Sequence, residues 1–270
     1  MNSLHYLNRI GFAGTINTDL HTLCRLHEHH VFSIPFEDLD IQAGVPIHLS
    51  RNAFYEKLVT RKRGGYCYEV NGLFHQLLLH LGFKADLVSA RIRRGRNFGS
   101  EYDHLAIVVH LAGKTYLVDV GYGDFSLKPL VIEPGLRQSD GRNFYLIDEV
   151  LIEDRNYYSV AKWNTGRHNY VIEYYFTTIA RTLEEFRERN NWQQSSPDSH
   201  FTQNLICSLP THDGRISIVN NRLITTVGTT KKETHIADGQ LPVLLKRYFG
   251  ISLAGEDIKR DMLHHASVSR

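Results

Sequence analysis

The stretch RGGYCYEVNGLFHQLLLHLGF, residues 63–83, joins two glycines to a cysteine and then to an apolar pattern. Apolar residues recur at three- and four-residue spacing after Cys67, and Gly82 ends the pattern, which predicts a helix that begins at or near Cys67. Gly64 and Gly65 allow a tight turn that a Cβ would block. The unpaired N–H groups of the helix N-terminus would then point at the sulfur and favour the thiolate. The stretch therefore predicts a cysteine nucleophile.

The composition is that of a globular protein without a strong charge. The chain has 270 residues, of which 42% are hydrophobic, and its 31 basic and 29 acidic residues give a formal net charge of +2. Such a balance does not favour nucleic acid as a partner. The N-terminus lacks a long apolar core, and no run approaches the roughly 18 apolar residues that cross a bilayer. We therefore expect a cytoplasmic protein without a nucleic-acid or membrane partner.

Two periodicities divide the chain. From about residue 17 to residue 83 the apolar spacing is helical, with a stop at Pro35 and an N-cap at Ser50. Residues 84–176 contain six short β-branched or aromatic runs of period two, separated by turn residues, which predict an antiparallel sheet or small barrel. A helix after Thr182 and a mixed strand and helix pattern follow. The pattern predicts an α+β fold.

A thiol nucleophile also needs a base, which is usually distant in sequence. His104 opens the predicted strand HLAIVVH, and Asp119 ends the next predicted strand, in the run YLVDVGYG. If these runs pair across a turn centred near residues 112 and 113, His104 faces a residue around position 120. Asp119 would then fix the tautomer of the imidazole while its other nitrogen takes the thiol proton. The spacing predicts a triad of Cys67, His104 and Asp119.

The remaining cysteines and histidines are interpreted as structural. Cys24 and Cys207 lie in apolar patterns typical of core residues. Three scattered cysteines without a CxxC pair predict neither a disulfide framework nor a metal site. The run HEHH at 27–30 lacks the spacing of metal ligands, and we expect it on a partly exposed helix face.

Several motifs together resemble the arylamine N-acetyltransferase family. RGGYCYEVNGLF is similar to the active-site segment of that family, and DHLAIVV and YLVDVGYG resemble its histidine and aspartate segments. SIPFEDLDI resembles a further segment, in which Asp38 stands where the family usually has asparagine. SHFTQNLICSLPTHDGR resembles its third-domain segment. The motifs occur in the order of the family between residues 32 and 215, so the resemblance covers most of the chain.

The resemblance implies a three-domain architecture with a Cys-His-Asp core like that of cysteine proteases. The domains are a helical bundle at 1–84, a central antiparallel β-barrel at 85–195 and an α/β lid at 196–270. The implied reaction is ping-pong acetyl transfer from acetyl-coenzyme A to arylamines or arylhydrazines through acetyl-Cys67, without a metal.

The resemblance also implies binding residues. Flat aromatic walls suit a flat aromatic amine, and three residues match family positions that line the acceptor pocket: Phe36, Tyr68 and Phe201. A loop can bind the coenzyme pyrophosphate through backbone N–H groups, and three residues match it: Gly121, Tyr122 and Gly123. Arg63 and Glu69 match motif positions, and we expect buried ion pairing from them rather than chemistry.

Another Cys-His-Asp enzyme, of the transglutaminase or cysteine-protease type, is the alternative, because the triad alone does not exclude it. A protease needs an open cleft for an extended chain, whereas the implied lid from residue 196 would cover this one. A binding protein that kept the fold is disfavoured because all three triad positions are intact.

Overall fold

The computed structural model describes residues 1–95 and 97–253. The chain divides into two compact units. The first unit comprises Met1–Ala13, His29–Val70 and the described chain from Arg187 to residue 253, and the second comprises Gly14–Glu28 and Asn71–Phe186. The three-part division expected from the resemblance stays a prediction, and the last part of its lid, residues 254–270, lies outside the described residues.

The described part of the chain contains eight α-helices. They are α1 (Ser3–Arg9), α2 (Leu20–Ser33), α3 (Leu39–Ala43), α4 (Arg51–Tyr55), α5 (Cys67–His80), α6 (Arg187–Ser195), α7 (His200–Gln203) and α8 (Leu241–Phe249). A π-helical turn, Glu56–Thr60, continues α4, and a 3₁₀ turn, Leu183–Phe186, precedes α6. The predicted start of α5 at Cys67 is confirmed. Ser50 precedes α4 as predicted, but its side chain makes no capping hydrogen bond.

Strands occupy most of the remaining described chain. They are β1 (Phe36–Glu37), β2 (Lys84–Arg94), β3 (Asn97–Phe98), β4 (His104–Leu111), β5 (Lys114–Val118), β6 (Leu130–Val131), β7 (Arg137–Ser139), β8 (Phe144–Ile152), β9 (Arg155–Asn164), β10 (Asn169–Phe176), β11 (Ile206–Thr211), β12 (Gly214–Val219), β13 (Arg222–Val227) and β14 (Thr230–His235). All six predicted runs between residues 84 and 176 are strands. The sequence patterns missed the short strands β3, β6 and β7, and also β1, which lies within the stretch predicted to be helical.

The second unit contains a nine-stranded antiparallel sheet that nearly closes into a barrel. Its strand order is β6-β5-β4-β2-β10-β9-β8-β7, with β3 beside β2. The Gln138 side chain of β7 donates to the Val131 carbonyl of β6 at 2.8 Å and accepts from its N–H at 2.7 Å. This amide therefore joins the two end strands of the sheet. The α+β fold and antiparallel barrel expected from the sequence are confirmed.

The β4–β5 hairpin follows the predicted register. Ala112 and Gly113 form its two-residue turn with φ of 49° and 76°, values that suit the right-handed twist of paired strands. The ladder extends from Leu111 paired with Lys114 to Ile107 paired with Val118. Asp119 therefore lies just beyond the last pair.

The first unit contains a five-stranded antiparallel sheet in the order β1-β11-β12-β13-β14. Its core includes Leu205 and Cys207 of this sheet region together with Leu245 and Phe249 of α8. The core position predicted for Cys207 is confirmed, whereas Cys24 on α2 is only half-buried. The exposed edge strand β14 was not predicted, because its sequence TKKETH lacks alternating apolar residues.

Within residues 1–95 and 97–253, no helix combines the length and apolar character needed to span a membrane. The same residues contain no group of three or more His, Cys, Asp or Glu side chains placed to hold a metal ion.

Candidate active site

Cys67 is buried at the first position of α5 in the first unit. The two preceding glycines are required by close packing, and neither has a positive φ. A Cβ on Gly64 would lie 2.1 Å from the Pro35 carbonyl oxygen, and one on Gly65 would lie 2.9 Å from the Glu69 side chain. The reason expected from the sequence was turn conformation. The structure shows that the missing Cβ atoms instead let this segment lie against neighbouring backbone and a carboxylate.

Five buried charged side chains, the charged cluster, lie beside this segment: Glu37, Asp40, Lys57, Arg63 and Glu69. Arg63 donates to Glu37 at 2.9 Å and to Asp40 at 2.8 Å. Lys57 contacts Glu69 at 2.9 Å and Asp40 at 2.8 Å. The buried ion pairing predicted for Arg63 and Glu69 is therefore confirmed.

Glu69 connects the charged cluster to the start of α5. From the third helical position its carboxylate accepts the Tyr66 N–H at 3.1 Å, which is one half of a capping box. Burial raises the pKa of Glu69 to about 7, although the charge of Lys57 acts to lower it. Burial acts to lower the pKa of Lys57, but the surrounding carboxylates raise it above its usual range. The helix start that carries Cys67 is thus held by a buried carboxylate–ammonium pair.

His104 and Asp119 meet in the second unit. His104 Nε2 lies 2.7 Å from Asp119 Oδ2, and both side chains are buried. Burial acts to raise the pKa of Asp119, but the charge and hydrogen bond of His104, with further hydrogen bonds, lower it. Asp119 is therefore a carboxylate, which only accepts, so His104 carries its proton on Nε2. In that tautomer Nδ1 has the lone pair that a general base needs.

Asn71 and Tyr174, for which the sequence predicts no role, also bind the Asp119 carboxylate. Asn71 donates to Asp119 Oδ1 at 2.8 Å and accepts the Val120 N–H at 2.9 Å. The Tyr174 hydroxyl donates to Asp119 Oδ2 at 2.9 Å. Two sequence signals could have found Asn71: its place in the RGGYCYEVNGLF motif, and its place four residues, or about one turn, after Cys67 on α5. Tyr174 belongs to a strand predicted without any role for its side chains.

The predicted acceptor residues belong to an aromatic cluster of the first unit. Phe36 and Phe201 are half-buried, with ring centroids 6.1 Å apart. The ring of Tyr66, a residue not singled out from the sequence, packs edge-on against two others. Its centroid lies 5.6 Å from that of Phe201 and 5.0 Å from that of the buried Tyr68. The Tyr66 hydroxyl hydrogen-bonds to the Asn190 side chain. The three predicted residues thus share one cluster, and their role in binding stays a prediction.

The predicted coenzyme loop follows Asp119 directly. The Gly121 N–H donates to Asp119 Oδ1 at 2.9 Å. The Tyr122 ring packs edge-on against His104, with centroids 5.2 Å apart. Gly123 has a φ of 80°, which favours glycine, and a Cβ there would meet no atom within 4 Å. The loop is therefore joined to the His104–Asp119 pair, and its coenzyme contact stays a prediction.

The expected exposure of the HEHH run is wrong for two of its residues. His27 and His30 on α2 are fully buried, whereas Glu28 and His29 are partly exposed. The three-residue spacing of the buried pair places both on one face of the helix. Because the four residues in succession are all polar, the sequence pattern does not distinguish the buried face from the exposed one.

Asp38, which stands where the resembling family usually has asparagine, is completely buried. Its Oδ1 accepts the Ile206 N–H at 2.8 Å, while Oδ2 has no hydrogen-bond partner among the described residues. Burial raises the pKa of Asp38 well above its usual range. A protonated aspartic acid has the shape and charge of asparagine, which explains why the segment accommodates it.

We expect Asp38→Asn to stabilise the fold increasingly as pH rises. In the unfolded chain Asp38 ionises at about pH 4, whereas the folded side chain keeps its proton to a higher pH. The stability of the wild type therefore falls as pH rises from about 4 to the raised pKa of the folded state. Asparagine removes this loss. The gain in Tm over wild type should be larger at about pH 8 than at about pH 5 in thermal unfolding. The exposed Asp148→Asn is the control, and an equal gain at both pH values would contradict the prediction.

Comparison with known proteins agrees with the motifs. An N-acetyltransferase family model matches residues 19–258. The pineal gland isozyme NAT-3 of arylamine N-acetyltransferase from Gallus gallus is 33% identical over 279 aligned positions, covering 94% of this chain and 95% of the relative. The structure of the Mycobacterium smegmatis arylamine N-acetyltransferase has 30% identity and a TM-score of 0.88, covering 98% of this chain and 97% of that one. The Mycobacterium marinum arylamine N-acetyltransferase, solved in complex with CoA, has 28% identity and a TM-score of 0.87, covering 98% of both chains.

Fold and relatives together define this protein as an enzyme, an acyltransferase. Since the family model and the relatives each span most of the sequence, the chain belongs to the arylamine N-acetyltransferase family. The resemblance drawn from the motifs is confirmed.

Proposed function

We propose that this protein transfers the acetyl group of acetyl-coenzyme A to arylamines or arylhydrazines through an acetyl-Cys67 intermediate. Family membership supports acyl transfer, and the CoA complex of the Mycobacterium marinum relative supports acetyl-coenzyme A as the donor. The observation that carries the proposal is the buried His104–Asp119 pair at 2.7 Å, an imidazole base oriented by a carboxylate. A cytoplasmic location is part of the same proposal.

The proposed reaction has two halves that share one base. In the first half, Cys67 gives its proton to His104, and its sulfur attacks the thioester carbonyl carbon. The bond from that carbon to the coenzyme sulfur breaks, and the leaving thiolate takes the proton from His104. In the second half, the amine nitrogen attacks the acetyl carbonyl of Cys67 and loses a proton to His104. The carbon–sulfur bond to Cys67 then breaks, and the proton returns to the sulfur.

The proposal assigns binding to two groups of residues. The aromatic cluster would contact the flat ring of the acceptor through three side chains, Phe36, Tyr68 and Phe201. The loop after Asp119 would contact the coenzyme through three residues, Gly121, Tyr122 and Gly123. The positive φ of Gly123, with open space at the position of its missing Cβ, supports close approach of a ligand to this backbone.

The proposal is tested by incubating the purified protein with acetyl-coenzyme A and no acceptor. We expect one acetyl group, mapped by mass spectrometry to Cys67, which an added arylamine removes. Cys67→Ala should lose the label, while Cys24→Ser and Cys207→Ala should keep it as matched controls. A label on Cys24 or Cys207 would overturn the assignment. Release of peptides from an unstructured protein would instead favour the cysteine-protease alternative.

A further inference from the structure

His27 is a buried histidine on α2 whose ring reaches the backbone of Asp119. Its Nε2 lies 3.2 Å from the Asp119 carbonyl oxygen, and the side chain is fully buried. The ring packs edge-on against Phe74, with centroids 6.3 Å apart. Burial lowers the pKa of His27 to about 4, so the ring is neutral near neutral pH. A carbonyl oxygen only accepts, so the contact with Asp119 requires the tautomer that has its proton on Nε2. The backbone of Leu127 also interacts with this ring.

Two helices hold the backbone at Asp119, where the sheet has ended. The β4–β5 ladder stops at Val118, and irregular backbone follows. Asn71 of α5 accepts the Val120 N–H at 2.9 Å, and His27 of α2 donates to the Asp119 carbonyl. A rotation of this backbone would move the carboxylate with it. The anchor on the carbonyl therefore affects where the Asp119 side chain lies.

We propose that His27 is a positioning residue for the reaction, which holds the Asp119 backbone so that the carboxylate engages His104. This inference rests on the proposed function, in which the His104–Asp119 pair carries the proton transfers. A displacement of a reacting group by about 1 Å lowers the reaction rate about 100-fold. If His27 only fills space in the core, an apolar residue of similar size should replace it without an effect on kcat.

Three variants of the full chain separate these roles. His27→Leu keeps much of the volume but removes the donor. His27→Gln keeps an N–H donor at a similar reach from the backbone. His75→Leu is the matched control, because His75 is also buried and its Nε2 lies 3.0 Å from another backbone carbonyl, that of Ala85.

We expect His27→Leu to lower kcat about 10- to 100-fold with little change in KM, measured with acetyl-coenzyme A and p-anisidine. His27→Gln should recover most of the loss. His75→Leu should lower Tm while kcat per folded molecule stays near wild type. A kcat of His27→Leu equal to that of His75→Leu, or no recovery in His27→Gln, would overturn the positioning role.

A second readout does not depend on activity. The proton between His104 Nε2 and Asp119 Oδ2 should give a downfield proton NMR resonance that is absent in His104→Gln. We expect His27→Leu to shift or broaden this resonance and His27→Gln to restore it. If the wild type transfers no acetyl group but the resonance responds in this way, the proposed function fails and the positioning effect stands. If the wild type is active and His27→Leu changes neither resonance nor kcat, the positioning role fails alone.

Discussion

Asp119→Asn is expected to lower the kcat of acetyl transfer by about 10,000-fold while the protein remains folded. Four donors converge on the Asp119 carboxylate: His104 Nε2, the Tyr174 hydroxyl, the Asn71 amide and the Gly121 N–H. Asparagine replaces one acceptor oxygen by an N–H₂ group, which faces a donor whichever way the amide turns. The His104 tautomer with a lone pair on Nδ1 is then no longer favoured. The steady-state rate with acetyl-coenzyme A and an arylamine, together with the circular dichroism spectrum, checks this.

The β2–β4 part of the same barrel offers a matched control for that substitution. Asp86 accepts from His110 Nε2 at 3.0 Å, but both side chains are exposed. Water can replace the carboxylate at such a site, so Asp86→Asn should leave kcat within about twofold of wild type. If Asp119→Asn keeps more than about a tenth of the wild-type kcat, Asp119 has no place in the proposed mechanism.

Lys57→Met is expected to reduce the free energy of unfolding by about 3–5 kcal/mol, because it leaves carboxylates of the charged cluster buried without their partner. Lys57 Nζ bonds to Glu69 and Asp40, and its side chain is 7% exposed. The loss of stability should increase with pH. Without Lys57 the folded Glu69 keeps its proton to a higher pH, whereas the unfolded Glu69 ionises at about pH 4. Urea unfolding at about pH 5.5 and about pH 8 measures both effects.

The double variant Lys57→Met/Glu69→Gln should recover part of this loss. Glutamine removes the buried charge, and its side-chain oxygen still accepts the Tyr66 N–H that begins α5. The exposed pair of Lys231 and Glu233, at 2.7 Å, provides the control, and Lys231→Met should cost far less stability than Lys57→Met because water screens an exposed pair. A loss in Lys57→Met no larger than in this control would show that the charged cluster contributes little to stability.

The parts of the candidate site that the sequence predicted are those set by local rules. The proximity of His104 and Asp119 was predicted from a two-residue turn between two strands of period two, and the β4–β5 hairpin has that turn. The start of α5 at Cys67 followed from the apolar spacing and the preceding glycines. Asn71, Tyr174 and His27 were not assigned, because each reaches Asp119 from an element 48 or more residues away in the chain.

The sequence by itself determined the α+β order of elements, the helix start at Cys67 and the hairpin that brings His104 to Asp119, since periodicity and turn chemistry act between near neighbours. It also determined the family, because the motifs resemble those of the N-acetyltransferase family whose model matches residues 19–258. Only the tertiary structure decided that HEHH contributes a buried donor, His27, and that Asp38 is a buried acid. Burial and hydrogen-bond pairing depend on which distant segments pack against a residue. The local sequence around His27 or Asp38 therefore does not show whether the side chain is buried or which group it binds.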